Sequence, residues 1–175
     1  MTGRIFTADH HVYDLPPLLS WNVRHTGTVP CDSWSVTAVY QPEMLTVLRM
    51  AAGFAAIENG MTQLRGIVDE YTVELGSRGM TVTLSGRGYA ARLLDNESRP
   101  VTYEQVTLRE LVRCHAEPYG ISCGAAADLR STVPYTAGVG ISQWKVISEF
   151  CRTYGGFLPR FAKTGELLAT PEQDS

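Results

Sequence analysis

A chain of 175 residues carries 15 Lys and Arg against 18 Asp and Glu, for a net charge of −3, with 44% hydrophobic and 19% charged residues. Its lysines are Lys145 and Lys163 and its arginines are scattered, so it lacks the clustered cations a phosphate backbone demands, and no specific nucleic-acid binding is expected. The most apolar run, Met44 to Ile57, holds Arg49 and Gly53 and is too short to span a bilayer, and no apolar leader follows Met1, so a soluble chain made in the cytoplasm, without membrane insertion, is expected.

Arg4-Ile5-Phe6 reads as a short first strand, and Asp14-Leu15-Pro16-Pro17 forces an extended or turning backbone after it. Leu19, Trp21 and Val23 alternate with polar residues, which predicts a half-buried strand. Residues 26–30 read as a loop. Trp34, Val36, Ala38 and Tyr40 alternate with Ser33, Ser35 and Thr37, the cleanest strand pattern in the chain. Gln41-Pro42-Glu43 opens a helix over Met44 to Ala52 that Gly53 ends. Asn59-Gly60 is a two-residue hairpin signal joining Phe54–Ile57 to Gln63–Val68. Tyr71, Val73 and Leu75 form a separate alternating strand, and residues 76–79 turn it into the next. Residues 1–95 therefore hold about six strands in meander order, enough for a small barrel or sandwich.

Residues 80–97 form the seam of the chain. Met80, Val82 and Leu84 take one face and Thr81, Thr83 and Ser85 the other. Gly86-Arg87-Gly88 breaks the alternation, which marks a bulge or a close backbone approach. Tyr89 to Leu94 reads as a helical turn ended by Asp95-Asn96. Beyond it the period changes. Thr107-Leu108-Arg109-Glu110 is a capping box, and the helix it opens buries Leu108, Leu111 and Val112 before Pro118-Tyr119-Gly120. Residues 121–141 offer short strands at most. Ser142 caps a second helix with Trp144, Ile147, Cys151 and Tyr154 on one stripe and Val146 and Phe150 beside it, and Gly155-Gly156 stops it. Phe157–Ala162 and Glu166–Ala169 read as a hairpin around Lys163-Thr164-Gly165, and residues 171–175 as a polar tail.

Cys31, Cys114, Cys123 and Cys151 are irregularly spaced and read as reduced thiols, with a Cys114–Cys123 bridge left open. His10-His11 with Asp9 and Asp14 lacks a third ligand at useful spacing and reads as a solvated loop. Cys114-His115 with Cys123 lacks a fourth ligand and reads as a packed cysteine beside a surface histidine. Gly138-Val139-Gly140 lacks the further spacing of a phosphate loop. No metal, cofactor or catalytic residue is assigned. Asp69-Glu70 with Asp95 is the acid set a small hydrolase would use, and it is kept as the alternative of a different class. Arg87 is expected to pair with Asp69, Glu70 or Asp95 and to fix the seam. Asp69, Gly86, Arg87, Gly88 and Asp95 are accordingly the structural and interface candidates.

Gly66-Ile67-Val68-Asp69-Glu70, a hairpin, Leu84-Ser85-Gly86-Arg87-Gly88 and Leu93-Leu94-Asp95-Asn96-Glu97 together resemble the N-terminal part of phage tail baseplate hub proteins, the late-control family that includes Mu-type, defective-prophage and contractile-bacteriocin hubs. Val106–Cys114 with Pro118-Tyr119-Gly120-Ile121 is similar to the family's helix and strand entry. Gln143–Gly156 with Phe157 and Gly165-Glu166-Leu167 is similar to its later helix, strand and turn. The likeness covers most of residues 1–170.

The resemblance implies a β-rich α+β fold. A barrel-like antiparallel β domain (1–97) is followed by a small α/β domain (98–175) with two helices and a C-terminal hairpin. It further implies a non-catalytic structural component of a phage or phage-like tail, a hub or tip protein of the virion made in a bacterial host cytoplasm. Its partners would be further copies of itself in a homotrimer, and the tail tube and spike or tip proteins. The runner-up within that structural class is the spike-hub module of a type VI-like secretion system. Family members continue well past this length, and a chain that stops at Ser175 reads as a fragment or split gene.

Overall fold

The computed structural model describes residues 1–26, 30–77 and 79–172. The central residues of the 26–30 loop, Arg78 in the 76–79 turn and the end of the tail lie outside the described residues. The chain splits into two compact units, Met1–Tyr89 and Ala90–Ser175.

The first unit runs β1 (Thr2–Thr7), β2 (Val12–Asp14), β3 (Leu18–Arg24), β4 (Ser33–Val39), α1 (Met44–Arg49), β5 (Ala51–Glu58), β6 (Met61–Gly76) and β7 (Gly79–Gly88). Its strands form one antiparallel sheet in the order β2-β1-β5-β6-β7-β4-β3. Period-2 alternation decides its faces. Trp34, Val36 and Ala38 of β4 and Val82 and Leu84 of β7 are buried, while their polar neighbours point the other way. Asn59 (φ 52°) and Gly60 (φ 78°) both take the left-handed turn conformation, so β5 and β6 meet at Glu58 and Met61 as the hairpin signal requires.

The sheet is not a meander. β1 lies beside β5 and β4 beside β7, so the connection from β4 to β5 crosses the sheet through α1, which sinks Met44 and Leu48 into the core. The helix stops at Arg49, short of the expected Ala52, because Ala51 to Glu58 is claimed by the sheet; Gly53 is a strand residue between Phe6 and Ile67, not a helix stop. The two expected strands at 63–68 and 71–75 are one 16-residue strand. The pairings Val68↔Gly86 and Glu70↔Ser85 leave Asp69 as an extra residue, and this bulge shifts the alternation that had read as a break.

Trp34 of β4 stacks on Phe54 of β5 with ring centroids 3.8 Å apart. Three strand steps separate β4 from β5, which on a flat sheet is about 14 Å. The sheet therefore curls strongly around its core. The barrel-like expectation takes this form, without closure: among the described residues no pairing joins the outer strands β2 and β3. That openness corrects the expectation for β3. As an edge strand it leaves Leu19 58% and Trp21 50% exposed, and Val23 is half-buried.

The second unit runs α2 (Ala91–Leu94), β8 (Val101–Tyr103), α3 (Leu108–His115), a 3₁₀ turn (Glu117–Tyr119), β9 (Cys123–Ala126), β10 (Tyr135–Ala137), α4 (Gln143–Gly155), β11 (Arg160–Phe161) and β12 (Leu167–Ala169). β8 and β10 pair antiparallel, and β12 joins its hairpin partner β11 to a parallel neighbour, β9. Thr107 and Glu110 form the capping box of α3 in both directions. Ser142 accepts from the Lys145 N–H at the start of α4, and Gly156 (φ 70°) ends it. Leu108, Leu111 and Val112 of α3 meet Val146, Ile147, Phe150 and Cys151 of α4 in one core. All four cysteines are free thiols. No helix among the described residues is long and apolar enough to cross a membrane.

Candidate functional site

The seam resolves into a joint between β6, β7 and β4. The bulge aims Asp69 at Arg87 across the β6–β7 ladder. Both carboxylate oxygens accept from the guanidinium, Oδ2 from Nε at 2.9 Å and Oδ1 from Nη2 at 3.0 Å. This two-pronged geometry fixes direction as well as distance. The two side chains remain 34% and 35% exposed, so water screens the pair. Glu70, one residue on, accepts from the Ser85 hydroxyl at 3.0 Å. The expected Arg87 pairing is thus with Asp69, and the acid pair of the hydrolase alternative is engaged on both members.

Gly86 lies under the Trp34 indole. A Cβ there would meet the Ile67 carbonyl oxygen and the indole ring, and one at Gly66 would meet the Arg87 carbonyl oxygen. The indole N–H donates to the same Ile67 carbonyl at 3.1 Å, so the ring bolts β4 to β6 across β7. The Gly88 N–H donates to the Asp32 carbonyl at 2.8 Å and closes the end of β7. Asp32 in turn accepts from the Thr26 N–H at 2.9 Å and holds His25 Nδ1 at 3.0 Å. Asp69, Gly86, Arg87 and Gly88 are therefore brought together. Asp95 stands apart from this joint in sequence role: it is the C-cap residue of α2 in the second unit.

The outer face of the same strands is lined with hydroxyls. One row across the sheet reads Ser20, Thr37, Thr83, Thr72, and the next reads Asn22, Ser35, Ser85, Glu70. Thr37 and Thr83 share a hydrogen bond of 3.0 Å.

A second polar cluster was not legible as such. His115 is 4% exposed and Cys114 is exposed, the reverse of the expected packed cysteine beside a surface histidine. The signal was present: His115 continues the Leu108, Leu111, Val112 stripe at helical spacing. The ring stands 2.6 Å from Gln143 Oε1 and 3.0 Å from the Tyr103 hydroxyl. Burial pushes its pKa below the ordinary value, against the smaller opposing pull of the Gln143 hydrogen bond. These residues line an open cavity of about 660 Å³ with Glu97, Arg99 and Tyr119. Among the described residues no three His, Cys, Asp or Glu side chains converge as a metal site would require.

No family model matches the sequence, and no curated protein matches it. The fold, in contrast, is one that phage tail proteins carry. A 43 kDa tail protein of prophage MuSo2 from Shewanella oneidensis superposes with a TM-score of 0.76 at 14% identity, over 99% of this chain and 55% of that one. A tail protein from Neisseria meningitidis MC58 gives 0.67 at 14% identity, over 95% of this chain and 49% of that one. A type VI secretion system component from E. coli gives 0.49 at 11% identity, over 85% and 47%. The chain spans about half the length of the solved structures it matches.

Proposed function

We propose that this chain is a structural, non-catalytic component of a phage or phage-like tail, a baseplate hub or tail-tip protein that joins the tail tube to the spike and works by assembling as a homotrimer. The observation that carries the reading is the fold likeness to two tail proteins over nearly the whole chain. The hydroxyl-lined outer face of β3, β4, β7 and β6 supports it. A surface of Ser and Thr with few cations offers little to a phosphate backbone, as a wall beside passing DNA must. In this reading residues 1–97 act as the hub domain and 98–175 as the small α/β domain, and Asp69, Gly86, Arg87, Gly88 and Asp95 are structural or interface residues.

The test is light scattering on the full chain across a wide concentration range. A mass that climbs to three chains is the expected result, with ring-shaped particles in electron microscopy. A single-chain mass at every concentration, with no binding to a tail-tube protein encoded beside it, overturns the proposal.

A further inference from the structure

His115 is the one histidine of residues 90–175. Its tautomer follows from its neighbours. The amide nitrogen of Gln143 donates to the Glu97 carbonyl at 2.8 Å and to the Tyr119 hydroxyl at 2.9 Å. A backbone carbonyl only accepts, so the amide nitrogen must face Glu97 and the amide oxygen must face His115. That oxygen accepts from Nδ1–H. In the neutral ring Nε2 then holds the lone pair and accepts from the Tyr103 hydroxyl, so both nitrogens are used.

We propose that His115 is an acid-sensitive bolt: neutral, it ties the last turn of α3 to the first turn of α4 and to β8, and taking up a proton leaves an unbalanced charge buried at that joint and loosens the second unit. The added proton goes to Nε2, where it points at a hydroxyl that is already donating. Tyr103 must turn its O–H away, towards nearby Cys114, and offer a lone pair instead. The new cation would sit among groups that do little to balance it. α4 presents the neutral Gln143 amide, and β8 presents Tyr103. The 3₁₀ turn presents Tyr119, which reaches the ring only through Gln143. Glu97 contributes its backbone carbonyl while its side chain is exposed, and Arg99, a cation, is in the same cavity wall. The C-terminal end of α3 favours a positive charge, and burial disfavours it.

The direction with pH follows. The folded-state pKa lies below the unfolded value of about 6.5, so the stability His115 contributes is whole above that value. It is lost as pH falls through the folded value.

The experiment uses the full chain. The His115 ring protons are followed by NMR from pH 8 downward, and thermal unfolding is measured at pH 7.5 and 5. His115 is expected to titrate below the ordinary histidine value, and the melting temperature of the second unit to fall by about 5 °C on acidification. His115→Gln, which has no proton to gain, is expected to lose that part of the fall. Gln143→Glu, which sets a carboxylate beside the ring, is expected to raise the titration above the ordinary value. Titration of wild-type His115 at or above the ordinary value overturns the proposal, and so does an undiminished acid loss in His115→Gln. If His115→Gln fails to fold, the wild-type titration decides alone.

Discussion

The two units place their polar groups in opposite ways. In the first, the long strands satisfy one another's backbone through the ladder, and Thr7 is the one buried polar residue among those described. Its hydroxyls and its Asp69–Arg87 pair stay on the outside. In the second, Ser98, His115, Ser131 and Gln143 are all buried. Its strands span four residues at most, and the connecting chain leaves backbone groups inside that no ladder reaches. Side chains take their place: Ser131 accepts from the Val106 N–H at 2.9 Å, and Gln143 donates to the Glu97 carbonyl. A buried backbone group needs a partner wherever it comes from. Short elements therefore require a polar core, and long ones permit a dry one.

The comparison breaks most visibly at Trp34. Trp34→Ala removes the ring stacked on Phe54 and the bolt to Ile67, and should cost about 3–5 kcal/mol in a urea titration, enough to unfold the first unit or nearly so. Gln143→Leu keeps the volume and removes the hydrogen bonds. If the second unit depends on its polar core, the loss should be about 2–3 kcal/mol, because His115, Tyr119 and the Glu97 carbonyl all lose a partner. A near-neutral result would mean that the second core is effectively dry as well. Arg87→Ala should cost under about 1 kcal/mol, since both partners are a third exposed. That small effect makes it the useful probe of assembly. A stable Arg87→Ala protein that no longer associates in light scattering assigns the pair to an interface, and one that associates normally removes it from one.

The sequence was most legible where one physical rule acted alone. β4 and β7 showed their faces through alternation, Asn59-Gly60 its turn through left-handed backbone, and Thr107 and Glu110 their cap through spacing. The misreadings arose where a distant contact overruled a local one. Ala51 and Ala52 could extend a helix that Gly53 ends, but β5, paired to β1 and β6, takes all three. Trp21 alternates like a core residue, yet lies on the sheet's edge, which no local pattern announces. His115 sits on an apolar stripe, and its polar chemistry argued against its position. At the joint, Arg87 was identifiable from the Gly-Arg-Gly interruption as the partner of an acid, with Asp69, Glu70 and Asp95 all open, while the neighbouring backbone carbonyls and the Trp34 indole that crowd Gly66 and Gly86 were not.

The bulge in β6 also works as a phase correction. Leu64, Gly66 and Val68 face inward before it, and Tyr71 and Val73 take the inward face after it, an even series followed by an odd one. Asp69 is the residue the β6–β7 ladder does not count. Taking it out would leave every other β6 side chain on its present face, whereas deleting a residue from the regular stretch that follows, such as Val73, would turn the rest of the strand inside out. Along its pairing with β7 the length of β6 is thus negotiable at Asp69, the residue that holds Arg87.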